Sequence, residues 1–81
     1  MPQSITVKYF AALREQAGVR EETIDTDCLT AKELFLELKA KYFFSVDLKS
    51  ICVSINRQYA DLDASMKSGD EIVFIPPVAG G

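Results

Sequence analysis

Hydrophobic and polar residues alternate in several short stretches of this chain, and such alternation predicts β-strands with one face in the core. In the first stretch Ile5, Val7 and Tyr9 fall on one face, with polar residues between them. A similar period, together with residues that favour strands, marks most of the other stretches. The predicted strands are Ser4–Tyr9, Glu21–Thr26, Ile51–Ile55, a short returning strand Gln58–Leu62, and Glu71–Ile75.

The period changes to a helical one at two places. Phe10, Leu13 and Ala17 follow helical spacing, which predicts a short helical turn that Gly18 ends. A longer helix is predicted from Thr30, which forms a capping box with Glu33. Its core face is predicted to carry Ala31, Leu34, Phe35, Leu38 and Tyr42.

The main helix is expected to end near Phe43, and the apolar segment after it is expected to close one end of the core. The opposite face of the helix is charged, which indicates a solvated surface. On that face Glu37 and Lys41 are spaced to form an ion pair one turn apart.

The last strand is apolar on both faces, with Ile72 and Phe74 on one and Val73 and Ile75 on the other. This pattern predicts a central strand, or one with a face left open for a partner. Turns are predicted at 56–57, before the short strand, and at 67–70, before the last strand. The element order β, β, α, β, β, β lets the first and last strands pair in parallel between hairpins. The prediction is an α+β fold of the β-grasp, ubiquitin-like type: a mixed sheet of about five strands with one main helix on one face.

The composition excludes much of ordinary enzymology. The chain has 81 residues, enough for one domain, and no His, the usual general base and commonest metal ligand. Its two cysteines are too far apart for a zinc site, so no metal or bound cofactor is predicted. The formal net charge of −3, without a basic cluster, argues against nucleic acid as a partner. With no apolar run of membrane-spanning length and no signal peptide, we expect a cytoplasmic protein with reduced thiols.

The chain ends in a distinctive tail. Residues 1–75 are predicted to form the domain and 76–81 an extended tail, because Pro76 and Pro77 cannot continue a strand. Six residues reach at most about 20 Å. Gly80 and Gly81 have no side chains, so a narrow tunnel in a partner could admit them. The terminal carboxylate is a poor electrophile that needs activation, for example as a mixed anhydride with AMP, before a thiolate can attack it.

The sequence resembles the sulfur-carrier small subunits of molybdopterin synthase over nearly its whole length. The resemblance lies in the C-terminal run Gly69–Gly81, which reads GDEIVFIPPVAGG, and in the segments Val7–Glu15 and Val53–Asn56. It implies that an E1-like adenylyltransferase activates the Gly81 carboxylate with ATP and that a sulfur donor system converts it to a thiocarboxylate. The sulfur then passes to cyclic pyranopterin monophosphate inside the large subunit, which supplies the catalytic pocket. The family's complex has two large and two small subunits.

The candidate site residues follow from the motif. Gly81 is the reacting residue, and Gly80, Ala79, Val78 and Pro77 form the part of the tail that enters the partner. A docking patch is predicted at Phe74, Ile75 and Pro76, since large exposed apolar patches mark interfaces. Neither Cys28 nor Cys52 is expected to relay sulfur, and Cys52 is expected to be a small buried thiol.

Alternative functions stay open at this point. A thiamine-pathway sulfur carrier or a ubiquitin-related modifier of tRNA or protein would use the same tail chemistry. A β-grasp interaction domain without a carrier role is the alternative from another class.

Overall fold

The computed structural model describes residues 2–77 of the chain, and its elements confirm the predicted order. The strands are β1 (Gln3–Tyr9), β2 (Glu21–Thr26), β3 (Cys52–Ile55), β4 (Gln58–Ala60) and β5 (Glu71–Ile75). The helices are α1 (Ala11–Ala17) and α2 (Ala31–Tyr42), with a 3₁₀ turn at Leu48–Ser50. The fourth strand is shorter than the predicted 58–62. None of the helices in the described part of the chain is long and apolar enough to cross a membrane.

The five strands form one mixed sheet in the order β2-β1-β5-β3-β4. The first and last strands pair in parallel, with Tyr9 opposite Phe74, and β5 pairs antiparallel with β3, with Cys52 opposite Ile75. The β1–β2 and β3–β4 pairs are antiparallel hairpins at the two sides. The prediction of a central last strand and a β-grasp fold is therefore confirmed.

Helix α2 lies on one face of this sheet and begins as predicted. The Thr30 hydroxyl accepts a hydrogen bond from the Glu33 N–H, and the Glu33 carboxylate accepts one from the Thr30 N–H in return. Four of the five predicted core residues of the helix are fully buried, and Tyr42 is half-buried. At its end, Phe43 takes a left-handed conformation with φ of 58°, and its side chain is 85% exposed. The neighbouring Phe44 turns inward instead and closes that end of the core, being only 3% exposed.

Helix α1 is short and is fixed mainly by one residue, Leu13, which is fully buried. Gly18 ends it with φ of 79°, in the left-handed region where a glycine has no steric penalty. Phe10 precedes the helix as its N-cap and lies half exposed, so it is not a helical residue as its spacing suggested.

The predicted ion pair on the outer face of α2 is wrong. Glu37 does not pair with Lys41; its carboxylate accepts hydrogen bonds from Thr26 Oγ1 and Cys28 Sγ, at 3.1 and 2.8 Å. Lys41 lies near Glu22 instead. These contacts from the end of β2 and the loop after it replace the local pair, which contributes only a few tenths of a kcal/mol on a helix surface.

Candidate functional site

The chain leaves the domain at the carboxyl end of the central strand β5. Phe74 is fully buried and packs edge-on against Phe35 of α2, with 5.3 Å between ring centroids. Strand β5 ends at Ile75, Pro76 is still buried, and Pro77 is exposed. The base of the tail is thus held inside the domain for one residue beyond the strand. The predicted tail residues Val78, Ala79, Gly80 and Gly81 lie outside the described residues, and their roles stay predictions.

The predicted docking patch needs a correction. Phe74 and Pro76 cannot form an exposed patch, because both are buried in the domain. Phe74 points to the helix side of the sheet, where the aromatic core receives it, and only Ile75 of the predicted patch is partly exposed. The alternation of β5 was predicted correctly, but the patch mixed residues from its two faces.

An exposed apolar surface does surround the exit of the chain, and it is made from other residues. Cys52 is exposed and lies directly opposite Ile75, so their side chains share the face of the sheet away from α2. Tyr9 and Phe74 are paired between the parallel strands β1 and β5, so the residues that follow them, Phe10 and Ile75, are neighbours as well. The Phe10 side chain is 50% exposed. We call Phe10, Cys52, Ile75 and Pro77 the exit surface. The exposure of Cys52 contradicts the expectation of a buried thiol.

Behind the exit surface, a carboxylate joins the sheet to the helix. Glu22 Oε2 accepts hydrogen bonds from the hydroxyls of Tyr9 and Tyr42, each at 2.6 Å, and Lys41 Nζ lies 3.9 Å from the other oxygen. Burial alone would raise the pKa of Glu22, but the two phenol hydrogen bonds and the Lys41 charge outweigh it and lower that pKa. Burial, followed by the Glu22 contact, raises the pKa values of both tyrosines. This cluster keeps Tyr9, the β1 neighbour of Phe74, in a fixed position.

The two cysteines lie at opposite ends of the sheet. Cys28 is near the start of β1, since its carbonyl accepts a hydrogen bond from Gln3, whereas Cys52 is at the end of β5. Burial and the hydrogen bond to Glu37 raise the pKa of the Cys28 thiol. A raised pKa leaves less thiolate, which is the nucleophilic form, so Cys28 is not an activated thiol.

Within residues 2–77, no group of three or more His, Cys, Asp or Glu side chains is arranged to hold a metal ion. The exit surface itself consists of apolar side chains and the Cys52 thiol. What this arrangement can do is present a chain end from a firm base, beside an apolar surface that a partner can cover.

Sequence reasoning did not single out Phe10 as an exit residue or Glu22 as a cluster residue. The signal for Phe10 was its place directly after the last alternating residue of β1, where a helix cap rather than a helical residue belongs. No local signal marked Glu22, because its partners come from β1 and from α2.

Comparison with known proteins adds a family. Residues 7–81 match the sequence profile of the ThiS family. The molybdopterin synthase sulfur carrier subunit of Haemophilus influenzae is 34% identical over 80 residues, covering 95% of this chain and 99% of that protein.

Two solved structures extend the comparison. The small archaeal modifier protein 1 of Methanosarcina acetivorans has a TM-score of 0.76 at 30% identity, covering 100% of this chain and 99% of that one. A chain in the complex of subunits 1 and 2 of the molybdopterin-converting factor from Helicobacter pylori has a TM-score of 0.64 at 28% identity, covering 98% and 100%.

Proposed function

The chain belongs to the ThiS family, and we propose that it is the sulfur carrier of a molybdopterin synthase. In this role Gly81 carries the sulfur on its terminal carboxylate, and a large subunit transfers it to cyclic pyranopterin monophosphate to form molybdopterin. The chain is the sulfur-donor subunit of a heteromeric sulfurtransferase and contributes no catalytic pocket of its own. The proposed compartment is the cytoplasm.

The chemistry takes place at one carbonyl carbon. An E1-like adenylyltransferase uses ATP to convert the Gly81 carboxylate to an acyl adenylate, releasing pyrophosphate. Sulfur at the oxidation level of sulfide, supplied by a donor system, attacks the carbonyl carbon, and AMP leaves with the C–O bond electrons. The product is a thiocarboxylate, and no cofactor bound by this chain is needed.

The observation that carries the proposal is the way the chain leaves the domain. Pro76 is buried and Pro77 exposed at the end of the central strand, so the last residues begin from a fixed point. Four residues beyond Pro77 reach about 14 Å at most. That length allows Val78, Ala79, Gly80 and Gly81 to enter a partner's tunnel while the domain stays outside.

A large-subunit partner is supported by the relatives. The Haemophilus relative is named as a carrier subunit of molybdopterin synthase, and the Helicobacter structure holds subunits 1 and 2 of the converting factor together. We propose the same kind of complex here, with two large and two small subunits and the exit surface against the large subunit.

Intact mass spectrometry tests the carrier role. The full chain is incubated with the adenylyltransferase, ATP and the sulfur donor system from the same organism. We expect the mass change of one oxygen replaced by one sulfur, dependent on ATP and absent from a chain that lacks Gly81. A fully folded chain that never gains sulfur under these conditions would contradict the proposal. Adding the large subunit and cyclic pyranopterin monophosphate then tests whether the carrier acts in molybdopterin synthesis, with molybdopterin as the expected product.

The narrow-tunnel argument has its own test at the tail. We expect Gly81→Phe to abolish molybdopterin formation while the domain still binds the large subunit. Normal turnover by that variant would rule out a tunnel that selects for glycine.

A second candidate is a protein modifier, favoured by the similarity to small archaeal modifier protein 1. It would use the same activated carboxylate but transfer it to a lysine amine, with AMP as the leaving group and an isopeptide bond as the product. Covalent conjugates in cell extract that depend on Gly81 would favour this candidate. A thiamine-pathway carrier would instead be thiocarboxylated without supporting molybdopterin formation, and a plain interaction domain would show neither reaction.

A further inference from the structure

A second surface lies beside the exit surface and is not used in the proposed reaction. It is a cleft of about 480 Å³ between the end of β1, helix α1 and the start of β2. The residues that matter in it are Lys8, Phe10, Arg14, Val19, Arg20 and Glu21. Its walls combine positive charge with exposed apolar side chains.

The charge of this cleft is opposite to that of the molecule. Three cationic side chains line it with one carboxylate, Glu21, although the whole chain has a net charge of −3. Lys8 pairs with Glu71 at 3.2 Å. Within the described residues, neither Arg14 nor Arg20 lies within 4.0 Å of a carboxylate oxygen. Both guanidinium groups are therefore available to a partner.

The apolar part of the cleft is exposed as well. Phe10 is 50% and Val19 39% exposed, and both are among the few large apolar side chains that the domain leaves in water. An arginine pair next to such side chains suits a protein segment that brings carboxylates together with an apolar residue, because aromatic residues and arginine are enriched in protein interfaces.

The position of the cleft indicates which partner would bind it. Tyr9 also lines it and pairs with Phe74, one residue before β5 ends, and Phe10 belongs both to the cleft and to the exit surface. A protein that takes up the tail and covers the exit surface therefore also reaches the cleft. The two surfaces are continuous.

We propose that this cleft binds an acidic segment of the large subunit, one that places an apolar side chain against Phe10 and carboxylates against Arg14 and Arg20. The inference rests on the proposed function, because it takes the large subunit as the partner. The cleft would add a contact outside the tail, and this contact would align the domain before the tail enters the large subunit. Contacts of this kind act chiefly on the association rate.

The test compares two double variants with the same net charge. Arg14→Gln with Arg20→Gln removes two positive charges from the cleft. Lys32→Gln with Lys67→Gln removes two from exposed positions outside it, at the start of α2 and in the turn before β5. Thermal unfolding of each variant verifies the fold. Surface plasmon resonance then measures association and dissociation with the purified large subunit of the same organism, at low and high salt.

We expect the cleft variant to bind at least about tenfold more weakly at low salt, mainly through slower association. The control variant should bind within about twofold of the wild type. The difference should shrink at 1 M salt, where the screening length falls to about 3 Å. Phe10→Ala should speed dissociation more than Phe43→Ala, since Phe43 is 85% exposed but lies outside the cleft.

Equal binding by the two double variants, with the wild type binding normally, would overturn the cleft assignment and leave the carrier role intact. A cleft variant that binds the large subunit normally but is thiocarboxylated poorly would also overturn it, by assigning the cleft to the adenylyltransferase. If the wild type itself neither gains sulfur nor binds the large subunit, the carrier role and this inference fail together.

Discussion

The two ends of strand β5 are held in opposite ways. At its start the contacts are polar: the Asp70 carboxylate accepts hydrogen bonds from Asn56 Nδ2 at 2.9 Å and from the Lys67 N–H at 2.8 Å. The Glu71 N–H donates to Asn56 Oδ1 at 2.9 Å. At its end the contacts are apolar, with Phe74 and Pro76 buried and Phe35 against the Phe74 ring.

The difference shows which end of β5 holds its backbone more firmly. Each polar contact at the start is exposed to water, so it exchanges one hydrogen-bond partner for another and contributes about 0.5 kcal/mol. Burial at the end fixes the backbone through close packing, where a lost side chain leaves a cavity. The firm end is the one from which the tail departs, and it also borders the exposed apolar exit surface.

Removing the Phe74 ring should have the largest effect. Phe74→Ala is expected to lower the free energy of unfolding by about 4 kcal/mol, because the ring is fully buried and leaves a cavity in the aromatic core. Urea unfolding measures it. Where that variant is too unstable, Phe74→Leu should cost about 1.5 kcal/mol and still slow sulfur transfer. The contrast between the two ends of β5 would be wrong if either Phe74 substitution lowered the free energy of unfolding by less than Asn56→Gly does.

Glu22 behind the exit should produce a pH dependence. Its folded pKa lies below the ordinary value of 4.5, so its contribution is fully present above that pH and is lost as the pH falls through the folded pKa. Glu22→Gln weakens two phenol hydrogen bonds and is expected to cost about 1.5 kcal/mol at pH 7. The gap between wild type and variant in urea unfolding should narrow below pH 4.5. A gap that stays constant down to pH 3 would show that the Glu22 charge does not matter.

The start of β5 should be less sensitive. Asn56→Gly removes the two side-chain hydrogen bonds to Asp70 and Glu71 and leaves a glycine, which adopts the φ of 53° without a steric penalty. We expect a loss of about 1 kcal/mol in unfolding free energy. Thiocarboxylation in the presence of the adenylyltransferase, ATP and the sulfur donor system should be unchanged, since the exit is untouched. Reduced thiocarboxylation at full stability would show that the two ends are coupled.

The smallest expected effect is a gain in stability, from a substitution at Arg57. Arg57 has φ of 71° in the turn between β3 and β4, a conformation that glycine adopts without a steric penalty. Its Nε lies 3.8 Å from Glu71, but the side chain is 84% exposed, so the ion pair contributes little. Arg57→Gly should therefore raise the unfolding free energy by about 0.5 kcal/mol, since relief of the strained backbone outweighs the added entropy of the unfolded chain. A loss of stability would mean that the Glu71 contact outweighs the strain.

The main helix and the central strand could be predicted because their signals are local. Thr30 and Glu33 stand at capping-box spacing, and the apolar pattern on both faces of β5 favoured the central position that the strand occupies. The docking patch could not be predicted, because a run of apolar residues does not show which of their side chains contacts the helix. Phe74 is buried by Phe35, a residue 39 positions earlier in the printed sequence.

Contacts between distant segments account for the remaining differences. Glu37 was expected to pair along its own helix, but Thr26 and Cys28 reach its carboxylate from the end of β2 and the loop after it. The cationic cleft was missed for a similar reason: Lys8, Arg14 and Arg20 are scattered in sequence, and only the return of β2 alongside β1 brings them together.

The central place of β5 also determines when the protein can fold. Strand β5 joins the two hairpins and is the last of the described strands, so one edge of β1 stays unpaired until β5 has been made. A nascent chain that stops before residue 71 has two hairpins and a helix but no sheet to unite them. Closure of the sheet requires pairing between the first and last strands, a long-range step that is slow because the intervening loop must close first. The sheet is thus expected to close only after β5 has been synthesised, and Pro76 becomes buried in the same step.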